Sequence, residues 1–261
     1  MRRKSKLVSL ICAILLLILS LCVRYCSPKE AELAADIILA VLEVVEEYEE
    51  LPEAPEEAQP TKPIEDGVKI PVFSGEPYVA INGNIPFFRE EEYTTESYEY
   101  FSDLDALGRC GMVMACIGQD LMPTEERGEI GHIKPTGWHS VRYDCVEGGS
   151  LYNRCHLLGF QLTGENANRQ NLITGTRFMN VEGMLPFENM IADFVVETEE
   201  HVLYRVTPIY EREEDLVAVG VLMEGWSVED KGESICFCVF VYNSQPGIGI
   251  DYSTGESRLK K

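Results

Sequence analysis

Three apolar runs of strand length fill the last third of this chain: His201 to Pro208, Leu216 to Met223 and Ile235 to Tyr242. They are dominated by β-branched, aromatic and other large apolar residues, the side chains that fit a pleated and buried surface. An isolated strand or hairpin buries too little to persist, so the three runs need one another as partners. A central antiparallel sheet is the expected result. Tyr78 to Asn84, which ends in an Asn-Gly turn, Gly111 to Ile117 and the shorter Ser140 to Tyr143 are further strand candidates. The acidic and aromatic stretch from Phe87 to Asp105 is expected to be a loop or edge covering the core. Between the strand-rich flanks lies a helix-bearing insert, Leu151 to Glu197, which makes the domain α+β.

The insert concentrates the reactive side chains. After the turn signal Gly148-Gly149-Ser150 comes Asn153-Arg154-Cys155-His156, with the Arg and His two residues apart. An amide-rich run from Glu165 to Asn171 follows, and then a helical segment carrying Asn180 and Glu188. Imidazole, guanidinium, carboxamide and carboxylate at such short separations are the groups a metal-assisted phosphodiesterase uses.

Asn153-Arg154-Cys155-His156, Asn171, and Asn180 to Glu188 (Asn-Val-Glu-Gly-Met-Leu-Pro-Phe-Glu) together resemble the DNA/RNA non-specific endonucleases of the ββα-metal superfamily, and within it the bacterial membrane-anchored DNA-entry nucleases. The likeness runs from about Phe73 to Tyr252 and includes Lys134-Pro135-Thr136-Gly137-Trp138 and the tail Val241 to Gly247. It implies a ββα-metal motif on the sheet, a Mg²⁺ cofactor with Mn²⁺ as a substitute, and DNA as substrate, with RNA open as a second one. The family's box is usually Asp-Arg-Gly-His; here Asn153 stands for the Asp and Cys155 for the Gly. Losing an acid beside the histidine removes a charge partner for the ring. A catalytically inactive, surface-anchored nucleic-acid-binding protein is therefore the alternative reading.

Phosphodiester hydrolysis needs an activated water, an electrophile to neutralise charge on the phosphate, and support for the departing oxygen. A histidine can take the water's proton near neutral pH, and the resemblance assigns that role to His156. It also implies Asn180 as the metal ligand; one hard, neutral amide oxygen suffices for an ion that keeps most of its waters. Glu188, eight residues on, would lie roughly 12 Å along an unbroken helix, beyond direct ligation and suited to ordering metal-bound water. Gly183 and Pro186 can break that helix, with Pro186 opening a second one. Asn171 matches the family position that steadies the site beside the metal, and Arg154 holds either a phosphate or the fold. Arg127, Lys134 and Arg177 are the candidate substrate contacts.

Charge limits where a polyanion can dock. The chain carries a net −22. Half of this sits between Ser27 and Asp66, where thirteen acids face two lysines. From Arg127 to Arg177 six basic residues outnumber four acids, the one stretch of local surplus suited to nucleic acid. The chain opens with the basic segment Met1 to Lys6, followed by an uncharged apolar run from Leu7 to Val23. Residues 1–26 are read as an uncleaved membrane anchor with the following domain exported, a removed signal and hence secretion being the alternative. Residues 27–69 form an acidic stalk, helical to about Leu51 and then extended by Pro52, Pro55, Pro60 and Pro63. Residues 70–261 form the nuclease-like domain. Its six cysteines allow fifteen pairings, among which spacing does not choose.

Overall fold

A computed structural model describes residues 70–260. The anchor and stalk read from the sequence, and the boundary at residue 69, lie outside the described residues. Among the described residues no helix is long and apolar enough to cross a membrane.

The three C-terminal runs become β6 (Val202–Ile209), β7 (Gly220–Ser227) and β8 (Cys236–Tyr242), at the centre of a six-stranded sheet. The outer strands are β1 (Tyr78–Ala80), β2 (Tyr98–Phe101) and β3 (Val113–Ile117), in the order β1-β8-β7-β6-β3-β2. Every pairing is antiparallel. The α+β class with a central antiparallel sheet thus stands, and β2 is the edge strand expected within Phe87 to Asp105.

Covering on both sides explains why these strands read as nearly unbroken apolar runs. One face, carrying Ala115, Tyr204, Met223 and Val239, packs against Cys155, Leu158, Met184 and Ile191 of the insert. The other, with Leu222, Cys238 and Phe240, is covered by Ile70, Phe73 and Phe87. On that second face Arg205 stands opposite Glu224 and donates to both carboxylate oxygens, at 2.7 and 2.8 Å. The Phe87 N–H donates to the same carboxylate at 2.8 Å, so the buried charge is matched.

Two strand expectations are corrected. β7 begins at Gly220 rather than Leu216, because Leu216 and Val217 give their N–H groups to the Tyr252 carbonyl instead of a neighbouring strand. Ser140 to Tyr143 is no strand; it contributes only the bridge between Arg142 and Ser150. Gly148 and Gly149 have positive φ and turn the chain back, so Tyr143 N–H meets the Gly149 carbonyl after a tight loop.

The insert forms a separate hairpin of β4 (Tyr152–His156) and β5 (Leu172–Thr176), linked through the single turn α1 (Phe160–Thr163). A helix follows at once: a π-helical stretch, Met179–Met184, runs directly into α2 (Leu185–Thr198). Gly183 and Pro186 do not break it. Pro186 has no N–H for the residue four back, and the turn before it widens so that Leu185 N–H bonds Asn180 O, five residues back. Gly183 lets that turn lie on β8, since a Cβ there would meet Val241 Cγ1. Hairpin and helix together form the ββα unit.

β9 (Ile248–Ile250) and β10 (Ser257–Leu259) pair as a small outlying ribbon.

Candidate active site

The hairpin, the helix and the loop containing Arg127 and Trp138 surround a cavity of about 610 Å³. His156, Asn180, Glu188, Arg127, Arg154 and Arg177 all line it.

His156 closes β4 and is 6% exposed. Its Nε2 lies 2.7 Å from the Asn166 carbonyl and its Nδ1 3.1 Å from Arg127 Nη2. A carbonyl only accepts and a guanidinium only donates, so the partners define the tautomer: Nε2 carries the hydrogen and Nδ1 the lone pair. Burial lowers the ring's pKa below the ordinary 6.5; the Asn166 carbonyl opposes the shift and the charge of Arg127 adds to it. The ring is therefore a neutral base at pH 7.

Asn180 and Glu188 reach the cavity from the same helix about two turns apart, each with little exposed surface and without a side-chain hydrogen bond among the described residues. The Glu188 carboxyl rests on Gly159, where a Cβ would come within 2.8 Å of it. Burial pushes that carboxyl up to about 7, against the pull of the Arg127 charge. Gly159 is a site residue that the motif did not reveal.

The other sequence candidates divide by position. Arg154 lines the cavity, but it donates to the Gly131 carbonyl at 2.8 Å and to the Ile133 carbonyl, and it stacks 4.0 Å over Trp138. Of its two open readings, holding the fold is the one these contacts express. Asn171 is fully buried and outside the cavity; its amide accepts from Leu158 N–H at 2.8 Å and donates to Leu158 O at 2.9 Å. It clamps the chain two residues after His156. Lys134 is exposed and does not line the cavity, so as a contact at this cavity it is set aside. Arg127 and Arg177 do line it; Arg177 Nη2 is 3.7 Å from Glu147 at the exposed rim.

The departure at Cys155 is absorbed by the partner strand. Its thiol is fully buried, with a pKa raised chiefly by burial and then by the Glu188 charge, which rules it out as a nucleophile. Gly175 makes the room: a Cβ there would lie 2.3 Å from Cys155 Sγ. Gly175→Ala is expected to cost about 1–3 kcal/mol of stability by overpacking, measured by thermal unfolding. Gly175→Ala combined with Cys155→Gly should recover most of it; no recovery would mean that Cys155 is not the obstructing group.

The tail supplies supports whose role the sequence did not reveal. Asn243 is fully buried, accepts from Thr176 N–H at 2.8 Å, and donates to the Thr174 and Ala218 carbonyls at 2.9 Å each. Gln245 Oε1 accepts from Phe178 N–H at 3.0 Å, satisfying one free donor at the helix start. The end of β5 and the helix that bears Asn180 are thereby held to the sheet. Gln245→Ala should lower stability by about 1 kcal/mol, read from denaturant unfolding.

A ββα unit presenting a neutral imidazole, an amide, a carboxylate and guanidinium groups to one cavity defines a nuclease. The family model for DNA/RNA non-specific endonuclease matches residues 89–228, and the chain belongs to that family. NucA from Streptococcus agalactiae, solved with no metal bound, is similar at a TM-score of 0.61 and 25% identity, over 69% of this chain and 86% of that one. The same protein with magnesium ion bound gives 0.62 at 24% identity, over 72% and 91%. The Sda1 nuclease with bound zinc ion gives 0.60 at 24%, over 71% and 97%.

Proposed function

We propose that this protein is a divalent-metal-dependent endonuclease without sequence preference that hydrolyses phosphodiester bonds of DNA, RNA being a second substrate to test, and leaves 5′-phosphate ends. The observation carrying this reading is the pairing of His156 Nε2 with the Asn166 carbonyl, which leaves Nδ1 as an acceptor facing the cavity that Asn180 and Glu188 also line. An attacking water gives its proton to Nδ1. In the free protein Arg127 occupies that nitrogen. A phosphate is the stronger acceptor for a guanidinium, so arriving substrate draws Arg127 onto itself and frees Nδ1 for the water.

The donor set suits a hard cation. Among the described residues no three His, Cys, Asp or Glu side chains gather as a metal-binding cluster, and the two cavity side chains suited to ligation, Asn180 and Glu188, offer oxygens. The Asn180 carboxamide would hold the ion and Glu188 would orient water beside it. When bound, the ion neutralises charge on the phosphate. Mg²⁺ is the first expectation and Mn²⁺ the substitute; a magnesium ion in one similar structure and a zinc ion in another support a divalent metal. We further place the domain outside the cell, tethered by residues 1–26, on the strength of the basic flank and the apolar run. Protease treatment of intact cells tests this: a domain that survives until lysis is not outside.

The altered box, Asn153 and Cys155, favours a second reading as an inactive nucleic-acid-binding protein. Incubating plasmid with the purified protein, with Mg²⁺ and with EDTA, separates the two. Cleavage that EDTA abolishes is expected. Folded protein that binds plasmid with Mg²⁺ and leaves it intact would refute the enzyme.

A further inference from the structure

Two buried polar atoms on residues of the cavity wall are left without work by this proton-transfer chemistry. Asn153 Nδ2 and Arg177 Nε are both buried and have no hydrogen-bond partner, although both residues line the cavity shared by His156 and Asn180. The register brings them together. Asn153 opposes Gly175, and beyond the last strand pair, Tyr152 with Thr176, the Arg177 N–H still bonds the Leu151 carbonyl at 2.7 Å. Residues 153, 175 and 177 alternate onto one face of the hairpin, which makes Asn153 and Arg177 diagonal cross-strand neighbours. Such pairs have Cβ atoms no more than about 7–8 Å apart, a gap that one tetrahedral oxyanion can bridge.

The missing partner is defined by what these atoms can do. Both only donate hydrogen bonds, and a buried donor without an acceptor is costly. A cation offers no acceptor, and the waters around one point their hydrogens outward. An anionic oxygen satisfies both atoms, and a guanidinium is suited to phosphate. Asn in place of the family's usual Asp also takes a negative charge out of the cavity of a chain carrying −22. We propose that Asn153 and Arg177 form a subsite for a non-scissile phosphate of the bound strand, beside the phosphate that is cut at His156. This rests on the nuclease reading and adds to it a phosphate contact at the altered position of the box.

The test is binding of a short fluorescent DNA oligonucleotide by the full chain in EDTA at low salt, followed by anisotropy, with thermal melting of each variant. Asn153→Asp keeps the shape and restores the charge; it should weaken binding about tenfold or more. Asn153→Ser should weaken it about threefold, and Arg177→Lys, which keeps the charge but removes Nε, about fivefold. Unchanged or tighter binding by Asn153→Asp, unchanged binding by Arg177→Lys, or no binding by the unaltered protein overturns the subsite. The two readings fail separately. Protein that binds the oligonucleotide in this pattern but never cuts it with Mg²⁺ loses the enzymatic reading and keeps the subsite, whereas cutting with unaltered binding in Asn153→Asp removes the subsite alone.

Discussion

Replacing His156 with alanine is expected to lower kcat for plasmid cleavage by about 10²–10⁴-fold, while oligonucleotide affinity in EDTA stays within about threefold of the unaltered protein. The argument is chemical rather than positional. Nδ1 is the one nitrogen of the ring whose lone pair the Asn166 carbonyl leaves available, and Arg127, which now covers it at 3.1 Å, makes its one side-chain hydrogen bond among the described residues to that neutral imidazole. The ring's depressed pKa, due first to burial, predicts that the acid limb belonging to His156 lies below pH 6.5. Its stability linkage has the corresponding sign. The unfolded chain takes up this proton first as pH falls, so stability from the buried neutral ring is present above about 6.5 and is lost below it. Steady-state rates from pH 5 to 8 on His156→Ala and the unaltered protein check the acid limb, and thermal unfolding of both over the same range checks the linkage. A variant that cuts at the normal rate would remove His156 as the base.

Much of this fold was legible because its signals are local or repeat along the chain. β8 is apolar on both faces and β6 on all but Arg205 and Thr207 of one face, so both stand out whatever packs on them. The helix with Asn180 and Glu188 and the box on β4 also follow from order along the chain. What escaped depends on partners far away in sequence. The partner that sets the tautomer of His156 is a backbone carbonyl, Asn166, and a carbonyl leaves no mark in the residue type. Asn171 was expected to steady the site beside the metal, and the partner it holds is the Leu158 backbone, at both ends of its amide, which residue type does not disclose. Lys134 carries the expected charge but lies off the cavity. The sequence reading left open whether Gly183 and Pro186 break the helix between Asn180 and Glu188; the helix runs on through a π turn ahead of Pro186, and both residues line the cavity. Gly159 and Gly175 matter through volumes that a Cβ would occupy, which no pattern along the chain displays.

Glu188→Gln should make the protein more stable and far less active. The Glu188 carboxyl titrates at about 7 in the folded protein against an ordinary 4.5, and burial is the cause. The folded state therefore holds a proton that the unfolded chain has released between those two values. Stability from this group is fully present below about 4.5, declines as pH rises, and is gone above 7. At pH 8 the metal-free protein carries a buried carboxylate costing about 2–3 kcal/mol, a penalty that neutral glutamine does not incur. The glutamine variant should then melt about 5–10 °C higher at pH 8 without metal and no higher at pH 4. Cleavage should fall about 10–100-fold, because an amide is a poorer acceptor than a carboxylate for water ordered beside the cation. Saturating Mg²⁺ should narrow the difference in melting temperature, since nearby positive charge favours the ionised carboxyl. Equal melting at pH 8 would show that burial does not penalise this carboxylate. Undiminished cleavage would show that its charge is not what the site requires. The opposite movement of the two measurements is what distinguishes a group retained for catalysis from one retained for packing, because a packing residue would lower both together.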